Sequence, residues 1–234
     1  MARSIPPHRF QDLVEAATQV FIAQGYRGTQ MADIAEAMGV AKGTVYLYVE
    51  SKDALFDQVL RQADAPRPIA QPSDLPIRSP APGSTIGYVR DRLTEQPASP
   101  TLERALRHQR ARDPRAELDA VVSELSQVMG RHRTGLKLVD RCAPEYPDLA
   151  KLWFGAGREA LLGALTQYLE TRIRGHQFLA VPDVRVAARF IIETVVFWAV
   201  HRHWDPAPQV VDAQTAEDTV AQLIVTAFVA EAGR

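Results

Sequence analysis

Apolar positions recur at helical spacing along most of the chain, and strand-like alternation competes nowhere. Phe10, Leu13, Val14, Ala17 and Phe21 trace one face of an opening helix. Ala32, Ile34, Ala35 and Met38 carry the spacing on and predict a short helix over 30–38, with Thr29 as its cap and Gly39 as its stop. A second short helix is predicted over 41–48 with Val45 facing inward, and Ser51 should cap a third. Further helices are predicted over 85–95, 101–112, 116–139, 148–174, 183–203 and 216–232, so the fold class is all-α. Gly175, the Val181-Pro182 step and Asp205-Pro206 punctuate the later ones.

The last two helices differ in pattern. Val220, Leu223, Ile224, Ala227 and Phe228 form a single stripe, as on a surface helix that buries one face. In the helix from 183, Val186, Phe190, Ile191, Ile192, Val195, Val196, Phe197, Trp198 and Val200 wrap nearly the whole circumference. Such a helix must be covered on all sides, by its own domain on one and, on the other, either by a second subunit or by more of a monomer core. Between the two helical blocks, Pro66, Pro68, Pro72, Pro76, Pro80 and Pro82 forbid a continuous helix. The expected organisation is therefore a small domain over 1–62, a proline-rich connector over 63–83 and a larger helical domain over 84–234.

Two short helices about a glycine turn, followed by a capped third, are the pattern of a helix-turn-helix. In that motif the second helix lies in the major groove while its neighbours grip the backbone. On the predicted second helix Lys42, Gly43, Thr44, Tyr46 and Tyr48 are left on the outer faces. Lys42 offers a cation to guanine or phosphate, Thr44 a hydroxyl and a methyl for thymine, and Gly43 close approach. Lys42, Thr44 and Tyr46 are the base-reading candidates. Thr29, Tyr48 and Lys52, with Arg27 in the preceding turn, are the candidates for holding the backbone at helix N-termini.

The stretch "GYRGT" followed by "IAEAMGVAKGTVYLYVESKDAL", with the opening helix before it, resembles the DNA-binding domain of the TetR family of bacterial regulators in order and spacing. The resemblance covers Arg9 to about Arg61, and more loosely the run "PDLAKLWF" to "GHQFLAVPDVRVAARF". The sequence departs from the family at Val49, where an aromatic is usual, and in the proline segment, where the preceding helix commonly runs straight on. The resemblance implies an N-terminal three-helix helix-turn-helix domain and a C-terminal helical domain for effector binding and dimerisation. It places the dimer interface on helices 148–174 and 183–203, and implies a repressor that leaves a near-palindromic double-stranded DNA operator when a small-molecule effector binds.

Charge and chemistry narrow the picture. The chain has 234 residues, 46% of them hydrophobic, enough for a large core. Its 27 basic and 28 acidic residues argue against nonspecific nucleic-acid binding, so a DNA role needs cations gathered on one face. One cysteine, Cys142, fits a reducing cytoplasm, and no run is long and apolar enough for a leader or a membrane span. His201 and His203 are spaced two apart, which turns them away from a common metal, and no nucleophile or phosphate-loop motif occurs. No metal, no cofactor and no catalytic residue is expected.

For an effector pocket, Trp153, Phe154, Phe197 and Trp198 offer apolar walls, and His108, Arg112, His132, Arg141 and Glu145 offer polar groups. Two other readings stand beside effector control. One is a DNA-binding regulator governed by a protein partner docked on the proline segment, and the other is an all-α enzyme.

Overall fold

A computed structural model describes residues 9–95 and 99–230. Its α-helices are α1 (Arg9–Gly28), α2 (Met31–Ala37), α3 (Lys42–Val45), α4 (Lys52–Gln62), α5 (Ser84–Glu95), α6 (Pro100–Ala105), α7 (Pro114–Arg131), α8 (Arg133–Cys142), α9 (Pro147–Ala150), α10 (Arg158–Arg174), α11 (Val184–Ala199) and α12 (Ala213–Phe228). No sheet forms among the described residues, where one isolated bridge joins Val49 and Ile77. The all-α class follows. Two compact units divide the chain, Met1–Thr94 with Thr134–Trp153, and Glu95–Arg133 with Phe154–Arg234.

The first unit is built on the stripe of α1. Phe10, Leu13, Val14, Ala17 and Phe21 are fully buried, with Ile34 of α2, Val45 of α3 and Leu55 and Val59 of α4. Each contributes about 1.5–3 kcal/mol by leaving water. The Phe21 and Phe56 rings meet edge to face with centroids 5.0 Å apart, and Tyr26 adds a second ring at 4.9 Å from Phe56. The first helix runs on to Gly28, but Gly25 (φ 80, ψ 177) breaks its geometry in a region open essentially to glycine alone. Later chain returns to this unit. Asp64 accepts the Thr134 and Gly135 N–H groups, both at 3.1 Å, so a carboxylate caps the start of α8.

That cap marks a difference from the single helix expected over 116–139. The chain turns at His132 (φ −107, ψ 21) and restarts at Arg133. The helix expected over 148–174 is likewise divided into α9, a π-helical stretch Lys151–Gly157 and α10, with Gly155 and Gly157 lowering the helical preference at the step.

The second unit packs α6, α7, α10, α11 and α12 around Leu118, Val121, Leu125, Leu165, Leu169, Ile191, Val195 and Ile224. The helix expected over 101–112 stops at Ala105, where the Arg172 side chain bonds carbonyls at and beyond its end. Its guanidinium is fully buried, donates to the Ala105 and His108 oxygens at 3.0 and 2.8 Å, and pairs with Glu117 at 2.8 Å. The helix expected over 183–203 ends at Ala199 and tightens into a 3-10 turn, His201–Trp204. The last helix starts at Ala213 behind an Asp212 cap and ends at Phe228; Ala232, its expected end, lies outside the described residues. The expected wrap of α11 is half satisfied within the chain. Ala188, Ile191, Ile192 and Val195 are buried, while Val186, Phe190 and Phe197 stand exposed on one face.

Candidate nucleic-acid interface

The second helix of the motif is short. Ala41 leads into Lys42–Val45, and Val45, wholly buried, anchors it to the core. Gly39 (φ 64) makes the turn before it, a conformation that glycine adopts at little cost. Lys42, Gly43 and Tyr46 are exposed and Thr44 is half-buried. A Cβ on Gly43 would meet nothing within 4 Å, so that surface is open to a close partner. These are the base-reading candidates, brought together as the spacing requires.

Three of the backbone candidates are placed differently. Tyr48 was expected on an outer face, yet it is 2% exposed against 41% for Tyr46. The turn that closes α3, with the Tyr48 N–H on the Val45 carbonyl at 3.0 Å, rotates it inward, and burial pushes its phenol above the ordinary pKa. Thr29 was expected to cap α2, but it is buried and its hydroxyl donates to the Gly25 carbonyl at 2.7 Å, which also accepts the Thr29 N–H at 3.3 Å. Gln30 occupies the cap position instead, and its N–H donates to Asp33 at 2.8 Å. Lys52 follows the expected Ser51 cap, whose hydroxyl accepts the Ala54 N–H. Its ammonium, however, turns back to the Tyr26 and Thr29 carbonyls at 2.9 and 3.1 Å and lies over the Tyr26 ring. Arg27 keeps an exposed side chain, while its backbone N–H donates to Glu145 at 2.7 Å.

The connector adds a feature that helical periodicity could not reveal. Ile77 pairs with the chain just after α3, its N–H donating to the Tyr48 carbonyl at 2.8 Å and its carbonyl accepting from Glu50 at 2.9 Å. Ser79 lies 2.7 Å from the Ser51 hydroxyl, at the cap of α4. Arg78, between them, is exposed and has no carboxylate partner among the described residues. Val49, the departure from the aromatic usual in the family, is fully buried at this bridge. Ile69, Leu75 and Arg67 share the segment with Ile77 and Arg78, so the sequence alone did not single this pair out.

The residues expected around an effector fall in both units. His108 and Arg112 border a cleft beside α6 and α7 in the second unit, and His132 is the turn after α7. Arg141 and Glu145 belong to the first unit, where they pair at 2.9 Å against Gly25. The Arg27 N–H and then Arg141 hold the Glu145 carboxyl below its ordinary pKa. Trp153 donates its indole N–H to Asp140 at 3.0 Å, and Phe197 is exposed beside Trp198.

The signature of bacterial regulatory proteins, tetR family, matches residues 13–59. Over 52 residues the chain is 48% identical to the HTH-type transcriptional repressor DhaR of Mycobacterium sp. (strain GP1), covering 22% of this chain and 26% of that protein. Over 53 residues it is 36% identical to the HTH-type transcriptional repressor KstR2 of Rhodococcus jostii (strain RHA1), covering 23% and 26%. The match thus spans about a quarter of the length of these curated relatives. Among solved structures, the ketosteroid transcriptional regulator KstR2 of Mycobacterium tuberculosis superposes with a TM-score of 0.56 at 16% identity, over 97% of this chain and 98% of that one. SCO3833 of Streptomyces coelicolor A3, a TetR-family member, does so with 0.54 at 20% identity, over 92% and 90%. At such identities the likeness concerns the fold alone.

Proposed function

We propose that the chain, whose residues 13–59 match the tetR family of bacterial regulatory proteins, is a transcriptional repressor. It binds a near-palindromic operator as a homodimer and leaves it when a small molecule binds. The observation that carries this reading is the division within α3: Val45 is sunk in the core while Lys42, Gly43, Thr44 and Tyr46 stand clear of it. Lys42, Thr44 and Tyr46 read base edges. Arg27 and Arg78 take the phosphates, since the Lys52 ammonium is engaged by backbone carbonyls. The names of the curated relatives, both repressors, support the direction of control.

Dimerisation is supported by the exposed stripe of α11. Val186, Phe190 and Phe197 fall within a narrow arc of one face, and a second copy would cover them about a two-fold axis. Control by a docked protein partner is less well supported, because Ile77 and Ser79 of the connector are already bonded to residues 48–51. No helix among the described residues is long and apolar enough to cross a membrane.

Fluorescence anisotropy on duplexes tiling the DNA upstream of the protein's own gene tests the proposal, with random duplex as control. One tile should bind as a two-subunit complex, and Tyr46→Ala should cost it about 1–3 kcal/mol while leaving random DNA little changed. Equal binding of every tile and random duplex across genomic fragments would reject the repressor.

A further inference from the structure

The second unit contains a cleft of about 290 Å³ walled by the end of α7, the end of α11 with its 3-10 turn, and the start of α12. Its charge is unbalanced. Arg131, Arg133 and Arg202 line it, with the His203 imidazole beside them, against a single carboxylate, Glu217. That carboxylate already accepts from Gln127 at 2.9 Å. Arg131 and Arg133 are exposed and have no carboxylate partner among the described residues. Arg202 donates Nη1 to the Val211 carbonyl at 2.8 Å, but its Nε is buried and finds no acceptor among the described residues. A buried N–H on a charged group left without an acceptor is destabilising.

The positive field is felt at His203, whose pKa is lowered by burial and then by Arg133 and Arg202. The same cleft is also lined by Trp198, Ala199, Ala216 and Val220. Guanidinium groups match carboxylates in planar, paired geometry, and an indole face suits an apolar body. The volume lies at the small end of ligand sites.

We infer that this cleft binds a small organic carboxylate, its head among Arg131, Arg133 and Arg202 and its apolar body against Trp198. It is the effector site of the repressor proposed above and rests on that reading for its regulatory consequence. The same helix, α11, lines the cleft and carries the exposed stripe proposed for the dimer, so an occupant bears directly on that element. An effector acts only through a difference in affinity between two states, and packing on α11 offers one.

Calorimetric titration of the full chain, without DNA, with benzoate, 1-naphthoate and octanoate, each against its primary amide, tests the inference. At least one carboxylate should bind saturably at one per subunit, with its amide about tenfold weaker or more. Arg202→Met and Arg133→Gln should each weaken the carboxylate about tenfold, while Arg104→Gln, outside the cleft, leaves it unchanged. Arg133 is exposed, so its variant keeps the test decisive if Arg202→Met does not fold. Absence of saturable binding by all three acids, equal binding of acid and amide, or wild-type affinity in Arg133→Gln would overturn the inference. Because no DNA is present, each of these results leaves operator recognition standing, and failure to bind an operator leaves the cleft's affinity unaffected.

Discussion

Gly25 shows how much one residue can hold. Its φ of 80 with ψ of 177 lies where side chains are strained by about 1–3 kcal/mol. A Cβ there would also fall 2.5 Å from Glu145 Oε1 and 2.6 Å from Arg141 Nη1. Gly39 provides the contrast, with φ 64 and nothing within 4 Å of a Cβ. Gly39→Ala should therefore cost only the left-handed penalty, about 1–2 kcal/mol. Gly25→Ala should cost clearly more, because it also disturbs the Arg141–Glu145 pair and the Arg27 N–H bond. Thermal melts of the two variants decide this, and equal losses would show that the crowding at Gly25 is relieved at no cost. The periodicity of the sequence made Gly39 legible as a turn. It could not show the crowding at Gly25, because the Arg141 and Glu145 side chains that a Cβ would meet belong to chain that returns more than a hundred residues later.

At the scale of the element, the helices were legible wherever the reason for them is local. Phe10 to Phe21, Val45 and the Ser51 cap are placed as their spacing requires. The elements that differ are met at their ends by distant side chains: Arg172 bonds the Ala105 carbonyl at the end of α6, and Asp64 caps the start of α8. Tyr48 and Lys52 looked outward by position, yet the turn after α3 and the carbonyls of Tyr26 and Thr29 draw them in. In the proposed complex Arg78 of the connector takes their place; its neighbour Ile77 donates one backbone hydrogen bond to Tyr48 and accepts one from Glu50. Arg78→Ala should therefore weaken cognate and random duplex alike, and lower the slope of log affinity against log salt by about 0.9 for each bound subunit. Lys52→Met should leave that slope unchanged and lower the melting temperature instead, since it removes two internal hydrogen bonds. A slope that falls with Lys52→Met and not with Arg78→Ala would exchange their roles and detach the connector from DNA.

At the scale of the whole molecule, one reading helix of four residues is too little for a selective regulator. A dimer doubles the contacts and ties their spacing to the symmetry of the operator, since half-sites must lie one helical turn or a multiple apart. The apolar surface available for it is on α11, where Phe190 is 56% and Val186 66% exposed. Neither lies against the core of its own unit, so a charge there should be tolerated by the fold and rejected by a partner copy. Phe190→Glu should leave the helical signal and melting transition close to wild type and shift the mass in light scattering from two chains to one. The operator complex should then lose the steep, two-subunit binding curve and retain only half-site affinity. If Phe190→Glu remains a dimer with full operator affinity, the stripe on α11 is not the interface, and the symmetry that sets operator spacing must come from another surface.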